Sequence, residues 1–386
     1  MMSTCAEARP STHTLSTRQT DKRRFTTAGA SATPELSIVI VNYCQWQNTT
    51  ALVRVIQATA AARQGAVEVV VVDNHSAPHP LCQRLRHWPG VAFRRWRGNQ
   101  GFARAANAGC RLSQGRWLLL LNPDTSLPPQ FINEVLALSE HLTQTQSRVG
   151  IVGFGLRHSD GSRQLSSGPF PTLWSTLLGL LRPRQQRKYH AVSSQEFTRV
   201  PWVTGCCLLA RRECLRQVGG FDDRFFLYYE DVDLCRRATA KGWHVGYEPR
   251  IHAVHHRPLH TRPVPSYLRV VTRHALLTYA AKHWPRWQFR ALAALIRGEA
   301  WGRYWLARLL GNAAAAEHFA QLPAVITDIR QGWLEHARQR IKQLARRCEH
   351  QAQYDMQNLD TPALFQQRNN SLPQGVPAPH AGAAGT

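Results

Sequence analysis

The sequence predicts an α/β protein built around a mostly parallel sheet, and two observations carry that prediction. Residues 36–42, 67–74 and 117–121 are short, almost wholly apolar runs rich in Val, Ile and Leu. Helical stretches separate them, and continuous apolar strands alternating with helices mark a parallel sheet covered on both faces. Each run also stops at a polar residue: Asn42, Asp73 and, after Asn122-Pro123, Asp124. Ligands of such sheets bind beyond the carboxyl ends of the strands, so these side chains are expected to converge on one crevice.

The elements follow in order. The first strand leads into a helix over residues 46–63, and the second strand ends at Asp73-Asn74. The Pro89-Gly90 turn precedes a third strand near 91–96. A helix over 101–113 opens on Gly98-Asn99-Gln100-Gly101, where small residues let a ligand approach amides at a helix N-terminus. The fourth strand ends before Asp124, and apolar residues at helical spacing mark the next helix over 131–142. Shorter strands are expected over 150–156, 200–210 and 243–247, with His252, His255 and His256 after the last of them. From Val264 onward Tyr267, Val271, His274, Leu277 and Ala281 share one helical stripe, and Arg-bearing amphipathic stretches run on to Arg347. The first 34 residues, rich in Ser, Thr and Ala, and the Gln-, Pro- and Gly-rich tail over 351–386 are expected to be disordered.

Charge narrows the partners. Lys and Arg number 48 against 24 Asp and Glu, a net charge of +24, which favours nucleotide sugars, an anionic membrane surface or nucleic acid. No aromatic-interleaved basic module is present, so nucleic acid is not an expected partner of an enzyme here. A non-catalytic basic protein binding nucleic acid or an anionic membrane is the alternative reading. No apolar run reaches the roughly 18–20 residues of a spanning helix. The nine cysteines have no CxxC pair, which argues against a disulfide framework or zinc site and for a reducing cytosol.

Against the basic trend, residues 221–234 pack five carboxylates and five aromatics into fourteen positions. Acids suit the first turn of a helix, with Arg236, Arg237 and Lys241 near its end, and an ordinary solvated helix start would look the same. The functional reading is an aromatic wall for a sugar ring with carboxylates as base or metal ligands. Successive helical residues point about 100° apart, so Glu230 and Asp231 cannot share one task.

Ser37-Ile38-Val39-Ile40-Val41-Asn42-Tyr43, Val71-Val72-Asp73-Asn74-His75-Ser76, the Asn99 to Gly109 segment, Asn122-Pro123-Asp124, Val203-Thr204-Gly205-Cys206, Gly220-Phe221-Asp222 and Tyr229-Glu230-Asp231-Val232-Asp233-Leu234 occur in one order. With Arg273-His274-Ala275-Leu276-Leu277 and Lys282-His283-Trp284-Pro285, that order resembles the inverting family-2 glycosyltransferases of GT-A fold, in particular the bacterial rhamnosyltransferase-like branch. The resemblance covers residues 36–285. It implies a GT-A catalytic domain over 35–263 and a helical extension over 264–350. The implied reaction moves a sugar from a nucleotide-diphosphate donor to the hydroxyl of a saccharide or polyprenyl-linked acceptor, in bacterial cell-surface polysaccharide or glycolipid synthesis.

By the same resemblance Asp231 is the catalytic base, with Glu230, Asp233 and Tyr229 orienting the acceptor. Asp73 contacts the nucleobase, while Asn42, Asn99, Gly101 and Asn107 complete the nucleotide site. Asp124 binds Mg²⁺ or Mn²⁺ on the donor diphosphate, assisted by His255. One departure is Ala77-Pro78-His79, where the family carries a further acid, so base or ribose recognition is expected to differ. Nucleotidyl transfer is disfavoured because Asn42-Tyr43-Cys44-Gln45 is no glycine- and lysine-rich triphosphate loop. A cytoplasmic location, peripheral at the inner face of the plasma membrane, is expected from Trp301, Tyr304, Trp305, Leu306 and Leu309 interleaved with Arg303 and Arg308. Packing of those helices on the catalytic domain is the competing reading.

Overall fold

The computed structural model describes residues 33–179, 188–256, 263–358 and 360. Nearly all of the expected N-terminal arm, and the tail past 360, lie outside the described residues. The chain opens with β1 (Leu36–Asn42), α1 (Trp46–Gln57), α2 (Ala60–Arg63) and β2 (Val67–Asp73). The single helix expected over 46–63 is therefore split. Thr59 takes an extended conformation, and its side chain accepts from the Ala62 amide to start α2 afresh. Next come α3 (Pro80–Arg86), β3 (Val91–Arg95), α4 (Phe102–Leu112) and β4 (Trp117–Leu121).

The second half runs through β5 (Thr125–Ser126), α5 (Phe131–Thr145), β6 (Val149–Arg157), β7 (Arg163–Gln164), β8 (Ser167–Gly168) and α6 (Leu173–Gly179). It continues with β9 (Thr198–Arg199), β10 (Trp202–Val203), β11 (Cys207–Arg211), α7 (Arg212–Val218), α8 (Glu230–Ala240) and β12 (His244–His255). The main sheet has the order β3-β2-β1-β4-β11-β6-β12-β5. Its first four strands are parallel, as the apolar runs predict. The mostly parallel sheet is corrected at β11, which pairs antiparallel with both β4 and β6. β11 starts at the cleft end, reached from β10 through Thr204-Gly205-Cys206 with no helical crossover, so it runs against its neighbours. The same three residues split the strand expected over 200–210.

Strand alternation divides the core. Val39, Val41, Val70, Val72, Leu118 and Leu120 join the apolar faces of α4 and α8 and the C-terminal helices. Ile38, Ile40, Val69, Val71, Leu119 and Leu121 face α1, α3 and α5 on the other side. Both faces are buried, which is why these strands read as unbroken apolar runs. Each such side chain contributes about 1.5–3 kcal/mol by leaving water.

A helical array follows: α9 (Ser266–His283), α10 (Arg286–Leu309), α11 (Ala313–Ala320), α12 (Leu322–Arg330), α13 (Leu334–Arg347) and α14 (Glu349–Gln357). It is fastened to the sheet domain at the start of α4. The wholly buried Arg338 donates to the Gln100 carbonyl at 2.6 Å, and Lys342 donates to Gln100 Oε1 at 2.8 Å. Helix α14 extends into the segment expected to be disordered. Beyond it Asp360 caps α1, its oxygens accepting from Gln47 N at 2.9 Å and Asn48 N at 2.8 Å. Helix α1 has no acid of its own in its first turn, so its free amides are a ready partner for a distant carboxylate. No helix among the described residues is long and apolar enough to cross a membrane.

Candidate active site

A cavity of about 470 Å³ opens at the carboxyl ends of β1, β2 and β4. Tyr43, Asn74, Asn99 and Gly101 line it, with Asp124, Gln164 and His255, and with Lys188, Tyr229, Glu230 and Asp231. Tyr267 and Leu268 of α9 and Asp355 and Met356 of α14 contribute further wall, so the helical array closes the site rather than standing apart.

The loop before α4 is shaped by Gly101. Its φ of +81° is a left-handed conformation, and a Cβ there would lie 2.4 Å from the Phe226 carbonyl oxygen. The Phe102 amide donates to that same oxygen at 2.7 Å, pinning the acidic aromatic segment to the start of α4. Asn74 Oδ1 accepts from Gln100 N at 2.9 Å and its amide donates to Asn99 Oδ1 at 3.0 Å. The two asparagines thus fix one wall of the cavity.

Asp124 follows β4 through Asn122-Pro123, and His255 ends β12. The His255 Nε2 lies 3.5 Å from Asp124 Oδ2. Burial works against ionised Asp124, but His255 outweighs it and the carboxyl is held below its ordinary range. Burial likewise opposes protonated His255, and the Cys206 and Asp124 side chains more than offset that, raising its pKa well above 6.5. Gln164 Nε2 sits 2.9 Å from His255 Nδ1, while its buried Oε1 finds no partner among the described residues. A carboxylate and an imidazole side by side on one cavity wall form a donor set that suits a divalent cation. The described residues contain no cluster of three or more His, Cys, Asp or Glu, so such an ion would need donor phosphates or water to complete its shell.

Tyr228 and Tyr229 deliver α8 to the cavity with φ of +73° and +64°. Non-glycine residues in that region cost about 1–3 kcal/mol each, so the turn is held by its packing. The Tyr229 ring lies 5.6 Å from that of Tyr279. Asp231, in the first turn of α8, accepts from the Gly205 amide through Oδ2 at 3.0 Å and from Val232 N through Oδ1 at 2.8 Å. Lys188 Nζ lies 3.5 Å from Oδ1. Glu230 is buried beside it, and its Oε2 has no hydrogen-bond partner among the described residues. Burial, reinforced by the Asp231 charge, raises the Glu230 pKa far above the carboxylate range, favouring the neutral acid.

Residues 34–289 match the family model described as Glycosyltransferase like family 2. The chain belongs to that family. The N-acetylglucosaminyl-diphospho-decaprenol L-rhamnosyltransferase of Mycobacterium tuberculosis is 29% identical over 288 residues, 68% of this chain and 92% of that protein. Rhamnosyltransferase WbbL of Escherichia coli K12 is 26% identical over 196 residues, covering 49% and 72%. The crystal structure of GalNAc-T7 with UDP, GalNAc and Mn²⁺ superposes with a TM-score of 0.49 at 15% identity, over 79% of this chain and 59% of that one. Family membership makes this chain a glycosyltransferase, its mixed α/β sheet accords with the GT-A class expected from the sequence, and the alternative of a non-catalytic basic binder gains no support.

The structure gathers Asn99, Gly101, Asp124, Tyr229, Glu230, Asp231 and His255 around the transferase cavity. The remaining expected site residues point elsewhere. Asn42 is fully buried, donating to Asp73 and Ser76 and accepting from Gln45 N and Thr49 Oγ1. Asp73, also fully buried, spends its oxygens on Ser76, Asn42 and the Arg95 guanidinium at 3.0 Å. Asn107 joins α4 to the acidic segment, donating to Phe221 O and Asp223 at 2.8 Å each and accepting from Phe221 N. Asp233 is sealed among Arg237, Lys282 and His283. In the described conformation the polar atoms of these four engage protein partners rather than the cavity. Conversely, sequence reading assigned no role to Lys188, Gln164 or Asn74. Asn74 stood in a quoted motif, whereas Lys188 carried no signal at all.

Proposed function

We propose that this transferase moves a sugar, with L-rhamnose the first candidate, from a nucleoside-diphosphate donor to a hydroxyl of a polyprenyl-linked saccharide, with inversion at the anomeric carbon. The observation that carries this reading is that Asp124 with His255, and Asp231 with Glu230, line one cavity together. The names of the mycobacterial and Escherichia coli relatives support the sugar, and the mycobacterial name supports the lipid-linked acceptor. Synthesis of a cell-surface glycan at the cytoplasmic face follows from that acceptor class.

Asp231 accepts the proton of the acceptor hydroxyl as its oxygen attacks the anomeric carbon. The bond from that carbon to the donor phosphate oxygen breaks in the same displacement, and the nucleoside diphosphate leaves with the electron pair. A single displacement with one base inverts the centre. Glu230, kept neutral by its burial, donates a hydrogen bond to the acceptor instead of competing for its proton. Tyr229 supplies an apolar face for a sugar ring. Asn74, Asn99 and the loop at Gly101 hold the nucleotide side. Asp124 and His255 would hold Mg²⁺ or Mn²⁺, whose charge would offset that developing on the leaving diphosphate.

The acceptor places the enzyme at a bilayer, and the face of α10 suits one. Trp301 is 68% exposed and Leu309 82%, with Trp287, Leu295, Trp305 and Leu306 also exposed. Helix α6, which packs against α10, adds exposed Trp174 and Leu178. Arg290, Arg297 and Arg308 lie exposed along α10, so an apolar stripe is flanked by cations, as on helices that lie in an anionic interface. Binding and turnover with a panel of UDP-, dTDP- and GDP-sugars, with and without Mn²⁺, tests the reaction. Use of dTDP-rhamnose supports the proposal, and binding of no nucleotide sugar overturns it.

A further inference from the structure

A small second sheet, formed by β8 and β10, borders the cavity next to Asp231. Trp202 on β10 lies opposite Gly168, its indole donating to the Pro169 carbonyl at 2.8 Å. The chain at 188–190 runs along the same patch, with His190 N donating to Ser167 O at 2.9 Å. Gly168 makes room for it, since a Cβ there would sit 2.6 Å from the Lys188 carbonyl oxygen. The Lys188 ammonium is thereby placed 4.6 Å from the ring centroids of both Trp202 and Tyr229, and 5.7 Å from that of Tyr189. It ends 3.5 Å from Asp231 Oδ1. Thr204, just past β10, donates to Ser166 O, and the next amide, Gly205, reaches Asp231 Oδ2. The segments bordering this small sheet therefore supply a partner to each oxygen of the same carboxylate.

We propose that Lys188 is a positioning residue for Asp231, fixing its carboxylate against the Gly205 amide and aimed into the cavity so that it accepts the acceptor's proton. The inference rests on the reading of Asp231 as the base. Two adjacent carboxylates in a buried, aromatic-lined site repel each other, and a neighbouring cation sets which of them carries the charge. The groups facing Asp231 are Glu230 and Cys235 on its own helix, Tyr229 before it, and Lys188 with Tyr189 from the opposite segment. Among the described residues Lys188 is the cation in an ion pair with Asp231. Burial opposes its charge, and Asp231 foremost, with the surrounding tyrosines, more than restores it, so the ammonium is held firmly protonated. The aromatic faces attract that cation and help hold it beside the carboxylate.

The test compares the full-length wild type with Lys188→Met and Lys188→Arg, using whichever donor of the nucleotide-sugar panel the wild type turns over. Lys188→Met is expected to lower kcat about 10–100-fold and move the acidic limb of the kcat profile about one pH unit upward, with donor KM within about twofold. Lys188→Arg should recover most of the rate and the original limb. An unchanged kcat profile in a folded Lys188→Met protein overturns the proposal, as does a change confined to KM. A second arm needs no substrate. Melting temperatures of Lys188→Met, Asp231→Asn and the double variant should be non-additive, and strict additivity refutes the contact. If the wild type uses no nucleotide sugar, the proposed reaction fails while this arm still judges Lys188.

Discussion

His255 Nε2 stands 3.5 Å from Asp124 Oδ2 on one wall of the cavity, the two residues coming from the ends of different strands. The pair is held together by charge: half-buried Asp124 is held below the ordinary carboxylate range, and buried His255 is raised well above 6.5. A divalent cation would take the place of the proton, leaving neutral His255 to join Asp124 as a ligand. In wild-type protein, Mn²⁺ with a nucleoside diphosphate should raise the melting temperature, by the equivalent of about 2.7 kcal/mol at a hundredfold excess over Kd. Asp124→Ala should abolish that increase and cut turnover by about a thousandfold or more. A full Mn²⁺-dependent shift in Asp124→Ala would remove Asp124 from the metal site.

Glu230 gives a pH-dependent stability with a definite sign. Its folded-state pKa is raised above the ordinary 4.5, mainly by burial and then by Asp231. The stability its neutral form contributes is complete below pH 4.5 and is lost as pH rises through the raised folded value. Glu230→Gln removes that loss. The variant should match the wild type near pH 4.5 and exceed it by about 1–3 kcal/mol at alkaline pH, read from urea midpoints across the range. A constant offset at every pH would contradict the assignment.

Asp233 illustrates a carboxylate in the same helix with a different task. It has no exposed surface and meets Arg237 at 2.6 Å, His283 at 2.8 Å and Lys282, which also binds Asp222. Removing one partner from a buried ion cluster costs about 3–5 kcal/mol. Asp233→Asn should lower stability by that order while folded protein keeps its kcat to within about threefold. Loss of kcat without loss of stability would instead support the acceptor-orienting role expected for Asp233.

Exposed Trp301 and Trp305 predict the membrane behaviour of α10. The wild type should float with vesicles containing anionic lipid, less so with zwitterionic ones or at high salt. Trp301→Glu with Trp305→Glu should reduce binding about tenfold or more, leaving donor binding unchanged. Equal flotation of the double variant would assign the stripe to another partner.

The sequence displays the fold clearly because its evidence is local. Apolar runs ending at Asn42, Asp73 and Asp124 announce strands and the end of the sheet where a cleft forms. The same local pattern misleads about side chains, since a strand-end acid faces either the cleft or its neighbours. Asp73 turns to Ser76 and Arg95, whereas Asp124 reaches the cavity, and nothing in either motif separates them. Asn107 and Asp233 likewise meet partners, Phe221 and Lys282, that lie far along the chain. Lys188 is the converse case. It stands in a segment without periodicity, and only the approach of Gly168 and Trp202 brings it to Asp231. The cap of α1 by Asp360 is equally invisible, since it joins a polar tail to a helix at the other end of the protein.

The central claim, that Asp231 is the base of a sugar transfer in this cavity, is tested most directly by Asp231→Asn. The amide nearly preserves the shape of the carboxylate but cannot accept the acceptor's proton. Donor binding in the presence of Mn²⁺ and transfer to a polyprenyl-diphosphate saccharide should be measured on the same preparation. The account predicts donor affinity within about threefold of wild type with transfer reduced by about a thousandfold. Transfer at the wild-type rate by a folded Asp231→Asn protein would contradict it.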